Sequence, residues 1–309
     1  MQIGIIGLGK MGSRIAEKLV VEGHTVVAWN RSPQPRIQLK AKFPKAKDLT
    51  IVETIKDLVK HLEKPRIIWV MLPAGDATDE TLNEVAKYVE KNDIVIDAAN
   101  SKYTDTEKHA KMYALRGVRF LGIGVSGGVI AVTQGYPLMV GGDKSAYDHI
   151  TPLLDSLTNP HGGHEYFGRG GAGHFVKMVH NGIEYPFMQA IGEGFGVLEN
   201  SSYNFDLTKI AKLYQKGTLI SGFMMDRTVD ALTNDPTLET IQGVIGSASG
   251  EAVWTIEEGK KHNLPVESIE QSRDFRIRSE TDNRIQKSFA ARMVGALRIA
   301  FGGHPVKRK

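Results

Sequence analysis

The chain has 309 residues, 41% hydrophobic and 24% charged, with a formal net charge of +4. These values exclude a disordered, collagen-like or coiled-coil protein and suit about two globular domains. The absence of cysteine excludes disulfides, thiolate metal sites and a cysteine nucleophile.

No apolar run reaches the roughly 18 residues a membrane helix needs. The opening MQIGIIGLGKMG lacks the cationic start and small-residue cleavage site of a secretory signal, so a cytoplasmic protein is expected. The cationic excess, 39 Lys and Arg against 35 Asp and Glu, is small, and part of it lies in the tail from His304 to Lys309. Acids and bases alternate elsewhere, which argues against the concentrated basic, aromatic-lined surface of a nucleic-acid binder. Glycine is the unusual entry in the composition: 33 residues, about 11% against a usual value of about 7%.

In chain order, Gln2–Ile6 reads as a strand, Met11–Glu22 as a helix and Thr25–Trp29 as a second strand. Further strands are expected at Arg66–Leu72, Asp93–Asp97 and Val118–Leu121, with helices at Thr78–Glu90 and Thr104–Leu115. This alternation predicts an α/β, Rossmann-like doubly wound domain over residues 1–168. From residue 169 to 309 long helical patterns take over, predicting an all-helical domain for substrate binding and oligomerisation. Its helices are expected at Phe175–Asn200, Leu207–Tyr214, Ile220–Leu232, Gly250–His262, Val266–Glu280 and Asp282–Phe301. Pro186 is placed to bend the first of these.

Gly7-Leu8-Gly9-Lys10-Met11-Gly12 is a G-x-G-x-x-G directly after a strand and opening a helix. Gly7 suits the tight turn, Gly9 the approach of a pyrophosphate, and Gly12 the close packing of helix on strand. Dinucleotide binding follows from that context. Many NAD-binding chains carry an acid at the end of the second strand, whereas this one has Asn30-Arg31-Ser32. A guanidinium attracts a 2′-phosphate and an acid repels it, so NADP is favoured, with NAD the alternative.

Lys177, His180, Asn181 and Glu184 fall at i, i+3, i+4 and i+7 of the long helix, within an arc of about 100°. Apolar neighbours occupy so much of the circumference that this stripe is expected to line a cleft. A lysine and a glutamate there form a base and acid pair. A metal at His180 and Glu184 is disfavoured, because His174 is off the pattern, and no metal is expected. Gly124-Val125-Ser126-Gly127-Gly128 reads as a loop with free amides for an anionic or hydroxyl-rich ligand. Asp97-Ala98-Ala99-Asn100-Ser101 ends a strand on the ligand-binding edge of the sheet. Gly141-Gly142-Asp143-Lys144-Ser145 lacks the first glycine of a P-loop and reads as a turn and helix cap.

The run from His174 to Tyr185, HFVKMVHNGIEY, closely resembles the signature of decarboxylating 6-phosphogluconate dehydrogenases. The resemblance extends through GLGKMG, Asn30-Arg31-Ser32, DAANS, GVSGG and the tail Phe301-Gly302-Gly303-His304, and points to the short form with one helical domain. It implies oxidative decarboxylation of 6-phosphogluconate to ribulose 5-phosphate. Lys177 would take the C3 hydroxyl proton as hydride passes to the nicotinamide, and Glu184 would protonate the enediol, with Asn181 beside them. Asn100, Ser126, Gly127, Gly128, His180 and Asn181 match positions that hold the sugar acid, and Tyr185, Arg276, Arg298 and His304 match its phosphate end and the tail. The cofactor would lie on residues 7–12, on Asn30, Arg31 and Ser32, and on Leu72 and Asn100. The tail implies a homodimer or homotetramer in which it completes the partner's site.

Three departures stand out. Ala98-Ala99 replaces a Gly-Gly pair, and Pro186-Phe187 replaces Gly-Asp. The segment from Ser249 to Thr255 lacks the lysine that long-form members carry before Trp-Thr. A related β-hydroxyacid dehydrogenase is the alternative, but it would not account for Glu184 together with Arg298 and His304. A non-catalytic NADP sensor would bind cofactor without turnover.

Overall fold

A computed structural model describes residues 1–246 and 250–303. The chain forms two compact units, one from Met1 to Met178 and a second from Val179 onward.

The first unit is built on eight strands: β1 (Gln2–Ile6), β2 (Thr25–Trp29), β3 (Leu49–Ile51), β4 (Ile67–Val70), β5 (Ile94–Asp97), β6 (Arg119–Val125), β7 (Pro137–Gly142) and β8 (Gly163–Gly168). Their order in the sheet is β3-β2-β1-β4-β5-β6-β7-β8. Strands β1 to β6 pair in parallel, β7 runs antiparallel to β6, and β8 is parallel to β7. The helices of this unit are α1 (Lys10–Val21), α2 (Pro33–Lys42), α3 (Ile55–Lys60), α4 (Asp76–Val85), α5 (Tyr103–Ala114), α6 (Ala131–Gln134) and α7 (Lys144–Thr158).

Alternation along the strands divides the core in two. Val26, Ala28, Trp69, Ile94, Ile96 and Leu121 belong to one cluster, which includes residues of α1 and α7. Val27, Ile68, Val70, Val95 and Phe120 belong to the other, which includes residues of α3 and α4. Successive side chains of a strand point to opposite faces, so both faces of the sheet are covered. The doubly wound fold expected from the sequence is the one observed.

The second unit is helical. Helix α8 (Ala172–Glu199) begins in the first unit and continues into the second, and it is followed by α9 (Leu207–Tyr214), α10 (Phe223–Asn234), α11 (Glu251–Lys261), α12 (Glu267–Arg278), α13 (Asn283–Lys287) and α14 (Phe289–Gly302). Met188, Ile191 and Phe195 of α8 pack with Met225 of α10 and with Phe289, Met293 and Leu297 of α14. Among the described residues, no helix is long and apolar enough to cross a membrane.

Several expectations need correction. The helix expected over Asp282–Phe301 is broken at Ser288, whose side chain accepts from the Ala291 amide and caps α14. A serine hydroxyl can satisfy an orphan amide, so the chain starts a second helix there. Gly124 and Val125 lie inside β6 rather than in the following loop. Strands β3, β7 and β8 were not expected. β3 has three residues, β7 opens on proline and closes on two glycines, and β8 alternates exposed and half-buried residues at the sheet edge. Asp143 does cap α7, accepting from the Ala146 amide at 3.0 Å, but Gly141 and Gly142 close β7 and do not form the expected turn.

One fold contact is sensitive to pH. The Met1 ammonium lies 3.1 Å from His24 Nδ1, and His24 Nε2 lies 2.8 Å from Ser156 Oγ. Nδ1 must therefore accept, and burial, followed by the charge of the chain terminus, lowers the histidine pKa from 6.5. The folded state favours neutral His24, so acid protonates the unfolded chain first. The associated stability is full above about pH 6.5 and is lost as pH falls through the lowered value. Thermal unfolding between about pH 7.5 and 5 should show this loss, and His24→Gln should remove its share of it.

Candidate functional site

The nucleotide end is formed by the turn from β1 into α1. Gly7 has φ +97°, and a Cβ there would sit 2.2 Å from the Met71 carbonyl oxygen and 2.8 Å from Leu72 Cδ2. A Cβ on Gly12 would sit 1.9 Å from the Gly7 oxygen, whereas nothing lies within 4 Å of the corresponding point on Gly9. Two glycines are thus demanded by the close turn, and the third leaves the backbone open to a ligand. No side chain caps the start of α1 and its first turn carries no acid, so its amides and dipole suit a pyrophosphate.

Asn30 does more than end β2. Its Oδ1 accepts from the Leu8 amide at 2.9 Å, and its Nδ2 donates to the Ser32 carbonyl at 3.0 Å. It ties the glycine turn to the β2 exit. Ser13 Oγ donates to the Leu8 carbonyl at 2.7 Å from the other side. Lys10, Arg31 and Ser32 are exposed, while Met11 and Leu72 are half-buried. The residues present fit a dinucleotide.

A second group lies at the ends of β5 and β6. Asp97, buried at the end of β5, accepts from the Ala99 amide at 3.0 Å and shapes the turn that holds Asn100 at φ +53°. The Asn100 carboxamide then grips the Val125 backbone: Val125 N donates to Oδ1 at 2.9 Å and Nδ2 donates to the Val125 carbonyl at 3.2 Å. This clamp sets the start of the Ser126-Gly127-Gly128 turn. Lys177 is 5% exposed, and its Nζ donates to Ser126 Oγ at 3.3 Å. Its stem lies on β6, where a Cβ on Gly124 would come within 2.3 Å of Lys177 Cβ. The start of α8 is held by a contact of 2.6 Å between Thr106 Oγ1 and His174 Nδ1. His174, off the polar stripe in sequence, is thus buried packing.

The third group lies in the helical unit. His180 Nδ1 is 2.9 Å from Asn181 Oδ1 and 3.9 Å from Glu184 Oε2. Asn181 Nδ2 donates to Glu251 Oε1 at 3.0 Å. Arg276 is 3% exposed and lies over the Tyr185 ring, 3.2 Å from its centroid. Its buried Nη2 has no hydrogen-bond partner. Burial pushes the Arg276 guanidinium down to about 10, helped by the charge of Arg298 and opposed by Tyr185 and Glu184. Burial likewise lowers Arg298. The buried Arg276, with its open donor, and the half-buried Arg298 are suited to a phosphate dianion.

On α8 the expected apolar surround is incomplete, since Ile183 is 60% and Phe187 40% exposed. His304 and Ser249 lie outside the described residues. Glu251, Asp97 and Thr106 join the site through contacts that no local motif marks. An acid opening a helix after glycine was the available signal for Glu251.

The fold and these groups define a dinucleotide-dependent dehydrogenase with an NAD-binding domain. Residues 2–168 match the NAD binding domain of 6-phosphogluconate dehydrogenase, and residues 173–308 match the C-terminal domain of 6-phosphogluconate dehydrogenase. The chain belongs to the 6-phosphogluconate dehydrogenase family.

It is 35% identical over 311 residues to the NAD+-dependent, decarboxylating 6-phosphogluconate dehydrogenase of Haloferax volcanii, covering 100% of this chain and 99% of that one. It is 34% identical over 282 residues to the NADP+-dependent, decarboxylating enzyme of Bacillus subtilis, covering 88% of this chain and 60% of the relative. Among solved structures, 6-phosphogluconate dehydrogenase from Plasmodium falciparum, described with NADP+ and with 6-phosphogluconate, has a TM-score of 0.82 at 29% identity. That match covers 90% of this chain and 62% of the other, so this chain spans about three fifths of the longer relatives.

Asn30→Ala should loosen the glycine turn by removing both carboxamide contacts. A rise of about tenfold in Kd for reduced cofactor, read by fluorescence titration, is expected. An unchanged Kd would mean that the turn holds without Asn30.

Proposed function

We propose that this chain oxidises 6-phosphogluconate at C3 and releases carbon dioxide to give ribulose 5-phosphate. The observation that carries the reading is the buried Arg276, with its unpartnered Nη2, beside Arg298 and Tyr185. A sugar acid without phosphate would leave the open Arg276 donor without an acceptor.

The bound nicotinamide supplies the acceptor for the C3 hydride. Lys177, in its neutral form, takes the C3 hydroxyl proton as that bond breaks. The ammonium so formed then hydrogen-bonds the C3 ketone, drawing electrons from the C1–C2 bond as carbon dioxide leaves. Glu184, as the carboxylic acid, gives its proton to the enediol carbon that becomes C1 of the product. Asn100, Ser126, Gly127, Gly128, His180 and Asn181 hold the sugar acid, and Tyr185, Arg276 and Arg298 hold the phosphate, with His304 contributed by the tail. The ketone itself is the electron sink, so the scheme needs no metal.

NADP is the favoured cofactor because Arg31 stands at the β2 exit where an acid would repel a 2′-phosphate. Residues 1–168 form the nucleotide-binding domain and residues 169–309 the substrate-binding and oligomerisation domain. The exposed Leu219, Ile220 and Phe223 support self-association as a homodimer or homotetramer, the tail completing the partner's site. The setting of this reading is the cytoplasm.

Steady-state assays with 6-phosphogluconate should give turnover and carbon dioxide, with the larger kcat/KM for NADP. Failure with both NADP and NAD would overturn the activity, and the larger value for NAD would overturn the cofactor preference. Lys177→Met should cut kcat at least about a hundredfold, the scale of general-base catalysis, while leaving cofactor Kd unchanged.

A further inference from the structure

Glu251 opens α11, and an acid in that first turn ordinarily serves the helix dipole. Its carboxylate also reaches α8. A Cβ on Gly182 would lie 2.7 Å from Thr255 Cγ2, so α8 and α11 run close together at this point. Across that approach, Glu251 Oε1 accepts from Asn181 Nδ2 at 3.0 Å.

The two ends of a carboxamide have nearly the same shape and opposite hydrogen-bonding character. A carboxylate can only accept, so Glu251 admits the Asn181 amide in one orientation, with Nδ2 toward the acid. Oδ1 then points to His180 Nδ1 at 2.9 Å. An amide oxygen also only accepts, so Nδ1 of His180 must carry a proton. In the neutral ring, Nε2 is then the acceptor.

We propose that Glu251 is a positioning residue for the reaction: through Asn181 it fixes the tautomer of His180, so that Nε2 presents a lone pair to a sugar hydroxyl. The proposal rests on the functional reading above for the identity of the substrate. It assigns a task to the segment before Trp254, where long-form relatives would carry a lysine.

Three variants separate this task from a helix-end charge. Glu251→Gln keeps the length and an acceptor oxygen but loses the charge. Glu251→Asp keeps the charge but falls short of Asn181. Positioning predicts that Glu251→Gln stays within about threefold of the parent kcat/KM for 6-phosphogluconate, while Glu251→Asp and Glu251→Ala lose on the order of tenfold. The opposite order, with Asp near the parent and Gln as poor as Ala, would overturn the proposal.

A substrate-free readout keeps the two readings apart. In 15N NMR, the His180 ring, assigned by comparison with His180→Gln, should show a protonated Nδ1 in the parent and mixed tautomers in Glu251→Asp. An Nδ1 unprotonated in the parent, or a ring unchanged in Glu251→Asp, would overturn the positioning role. Absence of turnover in the parent with either cofactor would instead overturn the functional reading.

Discussion

Helix α8 is the constraint on which the site depends. It runs for 28 residues without a break, through Pro186, and carries Lys177, His180, Asn181, Glu184 and Tyr185. Lys177 and Glu184 are seven residues apart, close to two turns and about 10 Å of rise, so they share a face. Spacing along one helix is set by its backbone hydrogen bonds.

The rest of the first unit anchors the start of that helix and shapes what lies beside it. Gly124 lets the Lys177 stem lie directly on β6, and the contact between Thr106 and His174 fixes the first turn. Asp97 bends the chain after β5, and Asn100 then grips Val125 as a further strand would. These hydrogen bonds tie side chains to the backbone or to a neighbour, which is how buried polarity becomes rigidity. At Arg276 a buried donor is left open beside a second guanidinium, which is costly unless an anion arrives.

Much of this was legible in the sequence. Strands β1, β2, β4 and β5 are buried on both faces and therefore read as continuous apolar runs. The glycine turn and the α8 stripe were legible for a similar reason, because their meaning is contained in spacings of a few residues. β7 and β8 were not, since strands with proline, glycine and polar alternation owe their place to backbone pairing at an edge. The break at Ser288 was hidden because the apolar period continues across a local cap.

The sequence by itself determined the fold class, the nucleotide turn and the set of side chains on one face of α8. All three follow from local geometry, in which an i+4 neighbour or an alternate strand residue is fixed by the chain itself. Only the tertiary structure decided what those side chains hold. Asn30 bonds the Leu8 amide 22 residues away, Asn100 clamps Val125 at a distance of 25, and Glu251 orients Asn181 from 70 residues on. Hydrogen-bond partners so distant along the chain meet through packing, and packing leaves no period in the sequence to read.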